Sequence, residues 1–186
     1  MRRRAVLALP ALIATPAHAA PLDEVMRGFA AIRASTARFA EERTMPELDL
    51  PLPSRGTLSW RAPDWLEKHT TEPVEEFLRI EGDLLTLERP TRGERQSLSL
   101  DRAPEIRPLV EALRATLAGD AATLSRHHEV SFSGTEAAWQ MVLVPRSART
   151  RAAVQRVALS GHGAAIRIVE TQGGGGTARM VIEPAG

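Results

Sequence analysis

Gly56-Thr-Leu-Ser-Trp-Arg61, Pro63-Asp-Trp-Leu-Glu-Lys-His-Thr-Thr-Glu-Pro73 and Phe77-Leu-Arg-Ile-Glu-Gly-Asp-Leu-Leu-Thr-Leu-Glu-Arg-Pro90 decide the fold. Apolar and polar residues alternate through these segments, and turn residues separate them. Leu58 and Trp60 fall on one side of the first. Pro63 and Pro73 bracket the second, and Gly82-Asp83 turns the third back on itself before Pro90 stops it. Alternation with period two predicts antiparallel strands with one wet and one apolar face. An apolar face of that extent has to be covered, and the cover decides the function.

Working outward, Leu22, Val25, Met26, Phe29 and Ile32 recur at helical spacing and predict an opening helix. Thr36 to Arg43 reads as a strand with Phe39, Glu41 and Arg43 on one side. Met45 to Ser54 holds three prolines and reads as a loop or covering flap. Glu94 to Leu100 alternates again. Ile106, Leu109, Val110, Leu113 and Leu117 form a second amphipathic helix, with Pro108 in its first turn and Gly119 as a C-terminal cap. Asp120 caps a short third helix through Ser125. Hairpins follow at Glu129–Gly134 with Ala138–Val144, and at Val154–Ser160 with Ala164–Glu170. Gly173 to Gly176 then turns into a last strand, Thr177 to Glu183. The pattern predicts about eleven strands and two or three helices. The helices lie before and within the run of strands, which predicts an α+β fold with an antiparallel sheet.

Arg2, Arg3 and Arg4, the apolar run Ala5 to Ala14, and Ala17-His-Ala19 have the order of a secretory signal peptide. Residues 1–19 are therefore read as a leader and residues 20–186 as a single domain. No segment has the apolar length needed to span a bilayer. Arg3-Arg4 leaves general and twin-arginine export both open. The chain has no cysteine, which excludes disulfides, thiolate metal sites and a lipid-modified cysteine. Cleavage removes three arginines from a net charge of +1 and leaves −2. That balance gives no reason to expect nucleic acid as a partner.

Catalytic signals are poor. No nucleophile elbow is present, and the Gly173–Gly176 run lacks the Lys-Ser/Thr of a phosphate loop. His127-His-Glu129 places neighbours on opposite faces without a second ligand pair, so no metal is expected. His69 and His162 read as solvated or structural. Glu41 and Arg43 are charges on an apolar face near a strand end. They read either as a solvated rim pair or as a contact for a lid or polar headgroup.

Taken together, the quoted strands resemble the LolA family of periplasmic lipoprotein carriers. Gly56-Thr-Leu-Ser-Trp60, the segment Pro63 to Pro73, Ile80-Glu-Gly-Asp-Leu-Leu-Thr-Leu87 and Pro90 match its order of strand, proline, strand, proline and turned hairpin. Phe39-Ala-Glu41 and Trp139-Gln-Met-Val-Leu-Val-Pro145 resemble further family strands. The resemblance implies an unclosed antiparallel β-barrel of about eleven strands with a helical lid over an apolar cavity. It also implies a latching arginine directly before the first proline. Ala62 stands there instead, and Arg61 lies one residue earlier on the other face. Phe39-x-Glu-x-Arg43, Pro51-Leu-Pro-Ser-Arg-Gly56 and Leu113-Arg-Ala-Thr-Leu-Ala-Gly-Asp120 are similar to a divergent branch, linked to acyl or polyene lipid export.

The expected function is carriage of acylated lipoprotein or related lipid through the periplasm, without a cofactor and without catalysis. The cavity is expected to use Phe39, Leu58, Trp60, Leu85, Leu87, Leu113 and Leu117. Glu41 and Arg43 would hold the lid or headgroup, with Arg43 reaching carbonyls near Leu117 to Gly119 in place of the missing latch. A monomer is expected, served by an inner-membrane donor and an outer-membrane acceptor. A non-transporting interaction or sensor module on the same fold is the alternative, and an esterase is a third reading. N-terminal sequencing of the product released by osmotic shock should find a chain cut near Ala19. An intact N-terminus in the membrane fraction would refute the leader.

Overall fold

The computed structural model describes residues 20–48, 50–104 and 106–185. The leader expected at residues 1–19 lies outside the described residues. Helix α1 spans Ala20–Ala31. Strands β1 (Ala34–Thr44), β2 (Leu52–Arg61), β3 (Trp65–Glu72), β4 (Glu76–Glu81), β5 (Leu84–Arg89) and β6 (Glu94–Ser99) follow. Helices α2 (Arg107–Leu117) and α3 (Ala121–His127) come next. Strands β7 (His128–Thr135) and β8 (Ala138–Pro145), helix α4 (Ala148–Ala153), and strands β9 (Val154–His162), β10 (Ala165–Gly173) and β11 (Gly176–Pro184) complete the order.

The eleven strands form one antiparallel sheet in the order β6-β5-β4-β3-β2-β1-β11-β10-β9-β8-β7. Two meanders meet at the β1–β11 pair, and β6 and β7 remain as edges, so the barrel is unclosed. The α+β architecture and strand count agree with the sequence pattern. The helices number four among the described residues, one more than the pattern allows. Helix α4 was missed because Ala148-Arg-Thr-Arg-Ala-Ala153 carries no apolar stripe. The expected flap also begins as a turn but joins β2 from Leu52 onward. Pro53 is tolerated there because β2 pairs only with β1 at that point; its ladder with β3 begins at Arg55.

Directly opposed residues share a face of an antiparallel sheet. Trp60 opposes Ser35 and Leu66, Leu66 opposes Ile80, and Ile80 opposes Leu85. On the other wing Met180 opposes Glu41 and Val169, Val169 opposes Leu159, and Leu159 opposes Met141. These rows run along one continuous, mainly apolar face, and the helices lie on it.

Two cores result. Val25, Met26 and Phe29 of α1, with Ala112 and Ala115 of α2 and Leu124 of α3, pack on Trp139, Met141, Leu143 and Leu159. Phe29 meets Trp139 edge-on with ring centres 5.9 Å apart. On the other wing Val110 of α2 packs with Trp60, Leu66, Ile80 and Leu100. Each of these large side chains contributes about 1.5–3 kcal/mol on burial. Gly119 links α2 to α3 at φ +70°, and a Cβ there would stand 2.1 Å from the Met26 carbonyl oxygen. Only glycine lets α1 cross so close. Asp120 caps α3 as expected, accepting from the Thr123 N–H at 2.9 Å. The Thr123 hydroxyl, and with it this backbone bond, holds the Asp120 carboxyl below the usual value.

Candidate functional site: a lidded apolar cavity

Between the two cores lies a cavity of about 570 Å³. Its floor is the middle of the sheet, where Ser35 and Ala37 of β1 and Ala165 of β10 are small. Its walls come from both cores, including Phe29, Trp60, Ile80, Leu143 and Leu159. Its cover is α2, through Leu109, Ala112, Leu113, Thr116 and Leu117. Leu113 lines the cavity yet is 42% exposed, which makes it part of the mouth. The volume falls inside the range of about 300–1,000 Å³ typical of small-ligand pockets.

Two arginines tie the cover to the sheet. Arg114 of α2 donates through Nη2 to the carbonyl of Asp64, at 3.2 Å, and to that of Gly82. Those carbonyls belong to the turns that join β2 to β3 and β4 to β5. Arg107, two helical turns earlier, meets Asp101 at 2.7 Å, Asp83 at 3.1 Å and Glu111 at 3.5 Å. Gly82 stands at φ +52°, the left-handed conformation that glycine adopts readily in such a turn.

Of the residues expected in the cavity, Leu58, Trp60, Leu113 and Leu117 line it. Phe39 is buried on the same sheet face, with Lys68 Nζ 4.8 Å from its ring centre, but does not line the void. Leu85 packs on the core beneath α2. Leu87 shares that face, opposite Leu78, but also stands outside the lining. Glu41 is buried and accepts from Lys68 and, at 3.3 Å, from Ser54. Arg43 lies 3.8 Å from Glu41 and is half-exposed, so its described ionic contact is within the sheet, not to carbonyls near Leu117–Gly119. Arg61 faces outward and stacks over Trp65 at 3.9 Å, while Ala62 packs inward on the second core.

Three residues of the site carry little signal in the sequence. Arg114 stood inside the quoted Leu113–Asp120 segment, but its reach to a turn 32 residues away in the chain has no sequence signature. Lys68 was legible as alternating in phase with Leu66, which places it inward. His128 was weighed only for metal. It is 1% exposed and lines the cavity. Among the described residues no group of three or more potential ligands could hold a metal ion.

Residues 14–183 match the family described as outer membrane lipoprotein carrier protein, LolA-like. The fold is similar to a LolA superfamily protein from Nitrosomonas europaea, at 12% identity, 90% of this chain, 93% of that chain and a TM-score of 0.42. It is also similar to a domain described as an outer membrane lipoprotein-sorting protein from Vibrio parahaemolyticus. That likeness has 7% identity, 89% and 90% coverage, and a TM-score of 0.42. The curated proteins include no significant match.

Burial pushes the His128 imidazole below its usual value near 6.5. The charges of His127 and Arg146 act in the same direction, and the Leu124 carbonyl opposes them. An unfolded chain therefore takes up the proton first as pH falls below about 6.5. Stability from this group is fully present above that value and declines as pH drops toward the lower folded value. Urea melts from about pH 8 to about pH 5 should show stability falling more steeply in the parent than in His128→Phe. Parallel curves would remove His128 as the source.

Proposed function

The chain belongs to the LolA-like family of outer membrane lipoprotein carrier proteins, and on that premise we propose that it is a periplasmic carrier of acylated cargo. The cargo class is the acyl chain of a lipoprotein or related lipid, moved from an inner-membrane donor toward an outer-membrane acceptor. The observation that carries this reading is the cavity of about 570 Å³, walled mainly by apolar side chains and covered by a helix. Acyl burial is worth about 0.8 kcal/mol per methylene, so one long chain gains on the order of 10 kcal/mol. The chemistry required is burial and release, not bond-making.

Release needs the cover to move. Helix α2 is suited to that, because two polar clamps and a strip of apolar contacts hold it, and Leu113 already opens to solvent. A ligand changes the balance between closed and open states only by the difference in its affinity for them. A filled cavity that props α2 outward would weaken the Arg114 bonds and favour hand-over. A sensor module on the same fold would keep the cavity but transfer nothing.

Two measurements test the reading. Trp60→Glu puts a charge into the cavity wall and should abolish binding of a fluorescent acyl probe, with circular dichroism confirming the fold. Leu113→Glu at the mouth, which perturbs no core residue, should weaken binding as well. Unchanged probe affinity in both folded variants would sink the acyl site. Arg114→Leu should speed transfer of bound probe to acceptor vesicles severalfold while leaving probe affinity within about threefold, since one charge-assisted bond site is lost from the closed state. Equal transfer rates would leave the cover held by packing alone.

A further inference from the structure

Two polar groups in the cavity wall have no partner. His128 is buried at the first position of β7, opposite Pro145, and both of its ring nitrogens lack a hydrogen bond among the described residues. The nearby Leu124 carbonyl already accepts the His128 backbone N–H, and it does not meet bonding geometry to the ring. Trp60 Nε1, on the opposite core, is likewise buried and unpaired. The contrast with the other core tryptophan is informative: Trp139 Nε1 donates to the Gly163 carbonyl at 2.8 Å. Buried polar groups are nearly always satisfied, and an unsatisfied one costs about 1–3 kcal/mol. Arg114 Nε and Thr150 Oγ1 are also buried and unpaired among the described residues, away from the void, whereas His128 and Trp60 both line it.

The chemistry of these groups restricts what could satisfy them. Burial keeps the His128 ring neutral, so it offers one donor and one acceptor. The Trp60 indole offers a donor only. An ester or amide carbonyl fits either donor, and a hydroxyl can give and receive at His128. An ionised carboxylate fits poorly, because a buried charge needs a paired cation. Lys68, the cation in the lining, is already bound to Glu41. We propose that His128 forms a subsite for an uncharged oxygen, a carbonyl or hydroxyl, carried by the acyl ligand, with Trp60 as a second donor across the cavity. The proposal rests on the acyl-carrier reading and narrows it: the ligand is an oxygen-bearing chain that enters as a neutral ester or alcohol, not as a free acid or a bare hydrocarbon.

The test uses chain-matched probes that compete for a cavity-bound fluorophore such as 1-aminoanthracene: methyl laurate, 1-dodecanol, tridecane and laurate. The ester and the alcohol should displace the fluorophore roughly fivefold more tightly than tridecane, the worth of one net hydrogen bond. His128→Phe should erase that preference and leave tridecane unchanged. His128→Gln, which keeps a donor and an acceptor, should retain part of it. A ¹³C-labelled methyl laurate carbonyl should shift to lower infrared frequency when bound to the parent and return toward its apolar-solvent value in His128→Phe. If His128→Phe does not fold, the parent alone decides: an unshifted carbonyl, or ester and alkane binding equally, overturns the oxygen subsite while the acyl-carrier reading stands. Laurate binding more tightly than its ester at neutral pH overturns the neutral-ligand claim. Failure of every chain to displace the fluorophore overturns the acyl-carrier reading and the subsite with it.

Discussion

An antiparallel sheet with one apolar face is stable only when that face is covered, and here the face is eleven strands wide. The helices on it are short. Helices α1 and α3 cover the wing around β8 and β9, and α2 covers the wing around β2 to β4. Large side chains rise from both wings to meet them. In the middle, the small residues Ser35, Ala37 and Ala165 line a void. Interiors are ordinarily packed to crystal-like density, so a void of this size is a feature of the sequence rather than slack. Large residues on the wings pack against the helices, and the space between is lined by small residues such as Ser35, Ala37 and Ala165 together with Met180, Ile182 and Val169 of the central strands.

Helix α2 joins the two halves. Ala112 and Ala115 belong to one core, while Ile106, Val110 and Leu117 pack on the other. Its movement would disturb both, which makes the strength of its attachment decisive. Arg107 shares three carboxylates in partly exposed surroundings, where each pair is worth about 0–1 kcal/mol. Arg114 is better sheltered and bonds two backbone carbonyls, contacts of about 1.5–3 kcal/mol when charge-assisted. The clamp thus runs from the cover down to the turns of the sheet. The resemblance to the family suggested a latch in the opposite sense, from a sheet arginine up to the cover, and Arg43 as its substitute. Arg43 is held instead by Glu41, on the same strand.

Sheet periodicity carried far in the sequence because each strand has one wet face, so alternation survives even where prolines interrupt it. The Gly82-Asp83 turn and the Asp120 cap were legible for the same local reason. Contacts between distant segments were not. Leu58 and Trp60 could be placed on the inner face by phase alone. Phase could not tell that Phe39 is sealed beside Lys68, or that Leu85 lies under α2 rather than beside the void. Those outcomes depend on where helices end on the sheet. His128 illustrates the limit most clearly: beside His127 and Glu129 its pattern raises only the question of a metal, and the register of β7 against β8 sets which face it takes.

The polar content of the cavity has an energetic consequence of its own. Glu41 and Lys68 bring charge to an apolar face, but each neutralises the other, and Ser54 adds a further bond. His128 and Trp60 Nε1 have no such compensation. Unpaired groups raise the free energy of the closed, empty protein relative to any state in which they are hydrated or bonded. Opening the cover toward water lowers that cost, and so does an occupant with an oxygen in reach. Sites that bind and release tend to hold local violations of this kind, tolerated because the rest of the fold is consistent. The same two side chains would therefore favour an occupant that bonds them over one that does not, while the apolar wall supplies most of the binding energy without choosing between ligands.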